Sequence, residues 1–312
     1  MTAVIVTGAS GFVGLPVLRE LARTGREVHA VSTRATPVEV AGVRWHRLDL
    51  GDAEAVGALI DDVAPEQLVH LAWYVEHGMF WDAPENVLWV ERSLSLLRAF
   101  ARGGGRRAVM LGSCAEYDWS SAQEPLAETS SPLAPSTLYG VAKDALRRLA
   151  GAYAARAEFE FAWGRLFFPY GPREPAGRLV PSVIRALLAG ELVPTTTGRQ
   201  RRDFLHVDDV AGALVALLDS RVVGPVNIAS GEAVAVAETV ERLARLVGRP
   251  ELVRLGAVPD RPGDPPLLVA DVARLNDEVG FRPRWTMSDG LADAVRWWQE
   301  RDLTAAQAAR RP

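Results

Sequence analysis

A chain of 312 residues can bury a full core in one large domain or two unequal ones. With 48% hydrophobic and 24% charged residues and a net charge of −4, it reads as a globular enzyme and not as a partner of nucleic acid or anionic membranes. The only cysteine, Cys114, excludes an intrachain disulfide and a cysteine-based zinc site. No apolar run approaches the roughly 18 residues of a membrane span. The first residues lack the basic, apolar, small-residue order of a secretory signal, so a cytoplasmic location is expected.

Ala3 to Thr7 is a continuous apolar run, the pattern of a parallel strand buried on both faces. It leads into Gly8-Ala-Ser-Gly11-Phe-Val-Gly14 and then a helical pattern ending at Gly25. Strand, glycine-rich turn and helix together point to a dinucleotide site. Gly8 permits the turn, Gly11 lets backbone approach a pyrophosphate at the helix N-terminus, and Gly14 lets helix and strand pack closely. Glu27 to Ser32 predicts a second strand. A carboxylate at its end would hold the ribose 2′-hydroxyl of NAD. The residues there are Ser32, Thr33 and Arg34. A guanidinium suits a 2′-phosphate, so NADP(H) is expected over NAD(H).

Val43 to Leu48 predicts a third strand, followed by Asp49 and Leu50. Asp49 is suited either to an adenine amino group or to capping the next helix, Ala53 to Val63. Gln67 to Ala72 predicts a fourth strand, whose C-terminal end, with Leu71 and Ala72, should lie over the cofactor. The stretch 73–89 carries Trp73, Tyr74, Phe80, Trp81 and Trp89. These rings either line a pocket or pack a loop onto the following helix, which reaches about Arg102. His70 and His77 have no partners at metal-ligand spacing, so no metal is expected. Arg106 to Gly112 predicts a fifth strand, with Ser113 directly after it. A hydroxyl there can donate to a substrate carbonyl oxygen. Pro135 to Leu149 has helical periodicity and sets Tyr139 and Lys143 four residues apart on one face. A neighbouring ammonium lowers a phenol from its ordinary value of about 10, readying it for proton exchange with an alcohol or ketone.

Together these segments resemble the extended short-chain dehydrogenase/reductase superfamily, in the NAD-dependent epimerase/dehydratase group that acts on nucleotide sugars. The matching stretches are TGASGFVG at 7–14, DL at 49–50, HLA at 70–72, Ser113 four residues before Tyr117, YGVAK at 139–143, RLFFPYGP at 165–172 and RRDFLHVDDVA at 201–211. The resemblance implies Ser113 polarising a carbonyl, Tyr139 as general acid/base, and Lys143 lowering that phenol's pKa and holding the nicotinamide ribose. It implies cofactor contacts from Gly8, Ser10, Gly11, Phe12, Val13, Gly14, Ser32, Thr33, Arg34, Asp49, Leu50, Leu71, Ala72 and Pro169. Substrate contacts fall to Ser113 and Tyr139, with Arg202 and Arg261 on the nucleotide diphosphate. A homodimer through helices at about 82–102 and 136–155 is implied in the same way. The sequence also departs from the family. Cys114 and Ala115 stand where dehydratases carry an acidic pair, which argues against 4,6-dehydration. Trp89 to Ser93 stands where the family usually has Asn-Val-x-Gly-Thr.

Glu158 to Trp163 predicts a sixth strand. Beyond Pro172 the elements shorten and proline increases. Arg178 to Ala189 is amphipathic, Val207 to Leu218 helical, and Pro225 to Ala229 (PVNIA) a strand that returns to the main sheet. Ala235 to Val247 and Met287 to Glu300 read as helices. The expected architecture is α/β: a doubly wound, Rossmann-like parallel sheet of about seven strands with a smaller C-terminal α/β substrate lobe. Residues 1–172 form the dinucleotide-binding domain, to which 203–229 returns. Residues 173–202 and 230–302 form the lobe, and 303–312 a frayed tail. The leading functional reading is an NADP(H)-dependent reductase of a keto group on a nucleotide-activated (deoxy)sugar. The alternatives are a nucleotide-sugar epimerase with tightly bound NAD and a non-catalytic NADP-binding protein.

Overall fold

A computed structural model describes residues 2–34 and 38–308. Every side chain of β1 (Ala3–Thr7) is buried, as a strand covered by helices on both faces requires. After the glycine turn come α1 (Gly14–Ala22), β2 (Glu27–Ser32), β3 (Val43–Arg47), α2 (Ala53–Val63), β4 (Gln67–His70), α3 (Glu85–Arg102), β5 (Arg107–Ser113), α4 (Leu138–Ala157) and β6 (Glu160–Leu166). The chain continues through β7 (Phe168–Tyr170), α5 (Leu179–Leu188), β8 (Val193–Pro194), β9 (Arg201–His206), α6 (Val207–Asp219) and β10 (Gly224–Ile228). It closes with β11 (Ala233–Ala235), α7 (Val236–Val247), β12 (Val253–Arg254), β13 (Leu267–Leu268) and α8 (Met287–Ala308).

Among the described residues, seven strands form one sheet in the order β10-β6-β5-β4-β1-β2-β3. Every pairing in it is parallel. The order reverses between β1 and β4, and a crevice opens at the C-terminal strand ends beside that point. One face of the sheet packs on α1 and α6 through Leu15, Leu18, Leu214 and Leu217. The other packs on α2, α3 and α4 through Ile60, Leu97, Phe100, Leu146 and Trp163. Local chemistry sets the helix ends. Asp52 caps α2 by accepting from the Ala55 amide, and Thr137 caps α4 by accepting from Gly140. Ala64 and Glu158 end the same helices in the left-handed conformation.

The segment 203–229 divides between the two regions. α6 and β10 belong to the main layers, but β9 pairs with β7, β11 and β13 in a second, four-stranded sheet. β7 continues from β6 and carries the chain off the main sheet, and β9 follows it. A separate apolar core joins α5, α7 and α8 through Ile184, Leu187, Val240, Leu243, Leu291 and Trp298. The helix expected to end at Glu300 runs on to Ala308. Residues 309–312 lie outside the described residues. Among the described residues no helix is long and apolar enough to cross a membrane.

Candidate active site

The crevice at the strand ends is a cleft of about 1380 Å³. That exceeds the roughly 300–1,000 Å³ of a single small-molecule pocket. All the residues given catalytic, cofactor or substrate roles from the sequence line it, from Gly8 to Arg261.

The glycine turn is locked against β4. Gly8 has φ +66°, and a Cβ there would sit 2.7 Å from the Ala72 amide nitrogen. A Cβ on Gly14 would sit 2.3 Å from the Gly8 carbonyl. Bare backbone therefore faces the cleft at the start of α1, the surface a pyrophosphate needs. At the end of β2 the Ser10 and Ser32 hydroxyls are 2.7 Å apart. Arg34 donates from its backbone to Ser32 Oγ and from Nη1 to the Ser10 carbonyl at 3.2 Å, with its side chain otherwise exposed. Among the described cleft residues, no acidic side chain occupies this strand end. Asp49 lies across from it, 3.6 Å from Arg92. The two readings of Asp49 separate here, because Asp52 caps α2 and Asp49 does not.

Ser113 ends β5 and caps a single 3-10 turn, Cys114–Glu116. Its amide donates to Glu116 Oε1 at 2.8 Å, and its hydroxyl accepts from the Ala115 amide at 3.2 Å. Glu116 is fully buried and also receives Trp163 Nε1 at 2.9 Å and Arg165 Nε at 2.8 Å. A rigid ion-paired network thus holds Ser113 from behind. Tyr139 enters from the first turn of α4, its amide bonded to the Trp81 carbonyl at 2.8 Å. Phe80, Trp81 and Trp73 all meet its ring edge-on. The aromatic stretch does both things expected of it: its rings line the cleft, and Trp73 fastens the loop to α3, the helix that follows, through Asn86 and Trp89. The contacts of Phe80 and Trp81 with Tyr139 on α4 were not foreseen. Fully buried Asn86 anchors that loop by accepting from Trp73 Nε1 and donating to the Phe80 and Ala83 carbonyls.

The electrostatics differ from the expectation drawn from spacing. Burial raises the Tyr139 phenol above its ordinary range, against a hydrogen bond with Ser113 and the charge of Arg178. Lys143 does not offset this. Its Nζ donates to the Leu111 carbonyl at 2.7 Å and rests 3.8 Å over the Trp73 ring, 6.0 Å from the Tyr139 ring centre. Burial lowers Lys143 itself to about 7, with Glu116 acting the other way. The i, i+4 spacing puts both side chains on one helix face, but the lysine reaches past the phenol to an open strand carbonyl. His70 lies behind both, between Thr7 Oγ1 at 2.6 Å and Ser93 Oγ at 2.8 Å, and burial holds it neutral at about 3.

The lobe supplies the other wall. Arg202, at the start of β9, is buried, with Nη2 on Asp264 Oδ1 at 2.5 Å and Nη1 on the Pro265 carbonyl at 2.8 Å. Arg261 stands exposed at the same end of the cleft. Pro169 lies in β7 at the junction of the two walls. Sequence reasoning missed Trp119, Glu174 and Arg178, which also line the cleft. Glu174 and Arg178 fall in a proline-flanked loop with no motif around them. The network behind Ser113 did have a signal: an arginine inside the apolar strand 160–166 demands a buried counter-charge.

The model of the NAD dependent epimerase/dehydratase family matches residues 4–229, and the chain belongs to that family. It is 28% identical over 320 residues to a dTDP-4-dehydro-6-deoxy-D-allose reductase of Streptomyces bikiniensis, covering 95% of this chain and 96% of the reductase. It is 30% identical over 315 residues to a dTDP-glucose 4,6-dehydratase of Streptomyces griseus, covering 96% and 94%. Among solved structures, MoeE5 in complex with UDP-glucuronic acid and NAD superposes with a TM-score of 0.82 at 33% identity, covering 96% and 99%.

Proposed function

We propose that this protein is a nucleotide-sugar oxidoreductase that reduces a keto group on a diphosphate-activated deoxysugar, with NADPH as the hydride source. The observation that carries this reading is the end of β2. Ser32, Thr33 and Arg34 offer two hydroxyls and a guanidinium where an NAD site would offer a carboxylate, in the same cleft as Ser113, Tyr139 and Lys143. The glycine turn would hold the pyrophosphate of the dinucleotide, Arg34 its 2′-phosphate, and Lys143 the nicotinamide ribose. When bound, the dinucleotide exchanges hydride with the sugar carbon. Ser113 donates a hydrogen bond to the carbonyl oxygen and Tyr139 delivers the proton to it. The raised pKa keeps the phenol protonated at neutral pH, and an alkoxide is basic enough to take that proton. Arg202 and Arg261 would take the diphosphate. The relative that acts as a dTDP-4-dehydro-6-deoxy-D-allose reductase supports the substrate class. Cys114 and Ala115, in place of an acidic pair, count against dehydration. A homodimer through α3 and α4 belongs to the same reading, supported by exposed Val87 and Leu88 on α3 and Val141 and Leu149 on α4. A monomer mass by light scattering refutes it.

A second reading, epimerisation with tightly held NAD, is favoured by the NAD bound to MoeE5. The test is to denature the purified protein, identify any nucleotide released, and titrate the emptied protein with NADPH and NADH. Empty protein that prefers NADPH supports the reductase. Stoichiometric NAD overturns it in favour of the epimerase.

A further inference from the structure

Glu174 takes no part in the chemistry above, yet it is built into the cleft wall. The chain reaches it through two unusual backbone positions, Gly171 at φ +138° and Arg173 at φ +70°, which fold the segment after β7 back toward the cleft. The side chain is only 3% exposed although the residue lines the cleft. One carboxylate oxygen, Oε1, receives Arg178 Nε at 3.0 Å. The other, Oε2, is buried with no hydrogen-bond partner of good geometry, although the Gly171 amide also lies against the carboxylate. A buried acceptor left unpaired is rare and costly, and burial pushes this carboxyl up to about 7.

Its neighbours locate it at the sugar end. Arg178, which Glu174 holds by Nε, acts on the Tyr139 phenol. Gly177, one residue earlier, packs on His77 of the aromatic loop that frames the same phenol.

We infer that Glu174 is a sugar-reading residue whose free carboxylate oxygen accepts a hydrogen bond from a hydroxyl of the hexose ring. This rests on the nucleotide-sugar reading above. Glu174 and Arg178 form a tied pair: the arginine fixes one oxygen and leaves the other for the ligand. A diphosphate without a sugar leaves that oxygen unpaired, so the contribution of Glu174 appears only when the hexose is present.

The test compares UDP with UDP-glucose and dTDP with dTDP-glucose, by calorimetry on cofactor-loaded wild type and on the Glu174→Gln and Glu174→Met proteins. The expected result is tighter binding of the sugar nucleotides by wild type. Both substitutions then reduce that advantage by about tenfold or more, with affinity for bare UDP or dTDP unchanged. An undiminished sugar advantage in both variants overturns the assignment. So does equal weakening of sugar-bearing and bare diphosphates, which is the mark of a structural role. A wild type that binds diphosphates but gains nothing from the hexose overturns the assignment and leaves the nucleotide reading standing. A wild type that binds none of the four overturns the assignment for uridine- and thymidine-activated sugars.

Discussion

Replacing Glu116 with Gln isolates the network behind Ser113. The substitution keeps the shape and removes one charge. In the native protein both Glu116 and Arg165 have fully buried side chains. Arg165 also reaches the Tyr117 hydroxyl at 3.1 Å, but its Nη2 has no partner, so Glu116 is its essential counter-charge. The carboxylate accepts from three donors: the Ser113 amide, Trp163 Nε1 and Arg165 Nε. An amide presents one oxygen and one NH2, so at least one donor would meet another donor. Breaking a buried pair from one side typically costs about 3–5 kcal/mol, and we expect a loss in that range by urea unfolding at pH 7. Removing both charges in Glu116→Gln/Arg165→Met should recover most of it, since the uncompensated guanidinium is then gone. A loss below about 1 kcal/mol in the single variant, or a double variant as unstable as the single, refutes the account.

Three further outcomes follow from the geometry. Tyr139→Phe should lower turnover by about 10²–10⁴ while NADPH affinity stays within about twofold, and retained turnover removes the phenol from proton transfer. Arg34→Glu should weaken NADPH far more than NADH in parallel titrations, because it puts a carboxylate beside the 2′-phosphate; equal losses contradict the reading of the β2 end. Lys143→Met should stabilise the protein near neutral pH. The folded-state pKa of about 7 lies below the ordinary 10.5, so the folded protein carries the full cost of a buried charge below pH 7 and sheds it as the pH rises toward 10.5. The gain should be on the order of 5 kcal/mol at pH 6.5, less whatever the lost Leu111 and Trp73 contacts contribute, and shrink toward pH 10 in thermal unfolding. A gain independent of pH would mean that the lysine is not the titrating group.

Periodicity and punctuation made the main sheet legible. The run from Ala3 to Thr7, the glycine turn and the helical stretch 53–63 are each written in neighbouring residues. The lobe was less legible because its strands are short and pair across long separations. β9 joins β13, two residues long, some 60 positions away, and nothing local announces that partner. In the site, Ser113, Tyr139 and Lys143 stood out through spacing, but the sense of Lys143 did not. Spacing gives the face of a helix; the Leu111 carbonyl and the Trp73 ring that capture the ammonium come from other elements. Glu174 was invisible for the same reason: its meaning lies in burial and an unpaired oxygen.

The place of β10 bears on how the protein is made. β10 covers the outer edge of β6, and Ile228 follows Leu166 by 62 positions. At about 5–20 residues per second, synthesis takes roughly 3–12 s to supply them. Through that interval the nascent sheet ends in β6, whose interior residues are buried in the finished protein. Such an uncovered edge is a template for pairing with other chains. Only when the chain is complete through Ile228 can β10 pair with β6 and remove that edge.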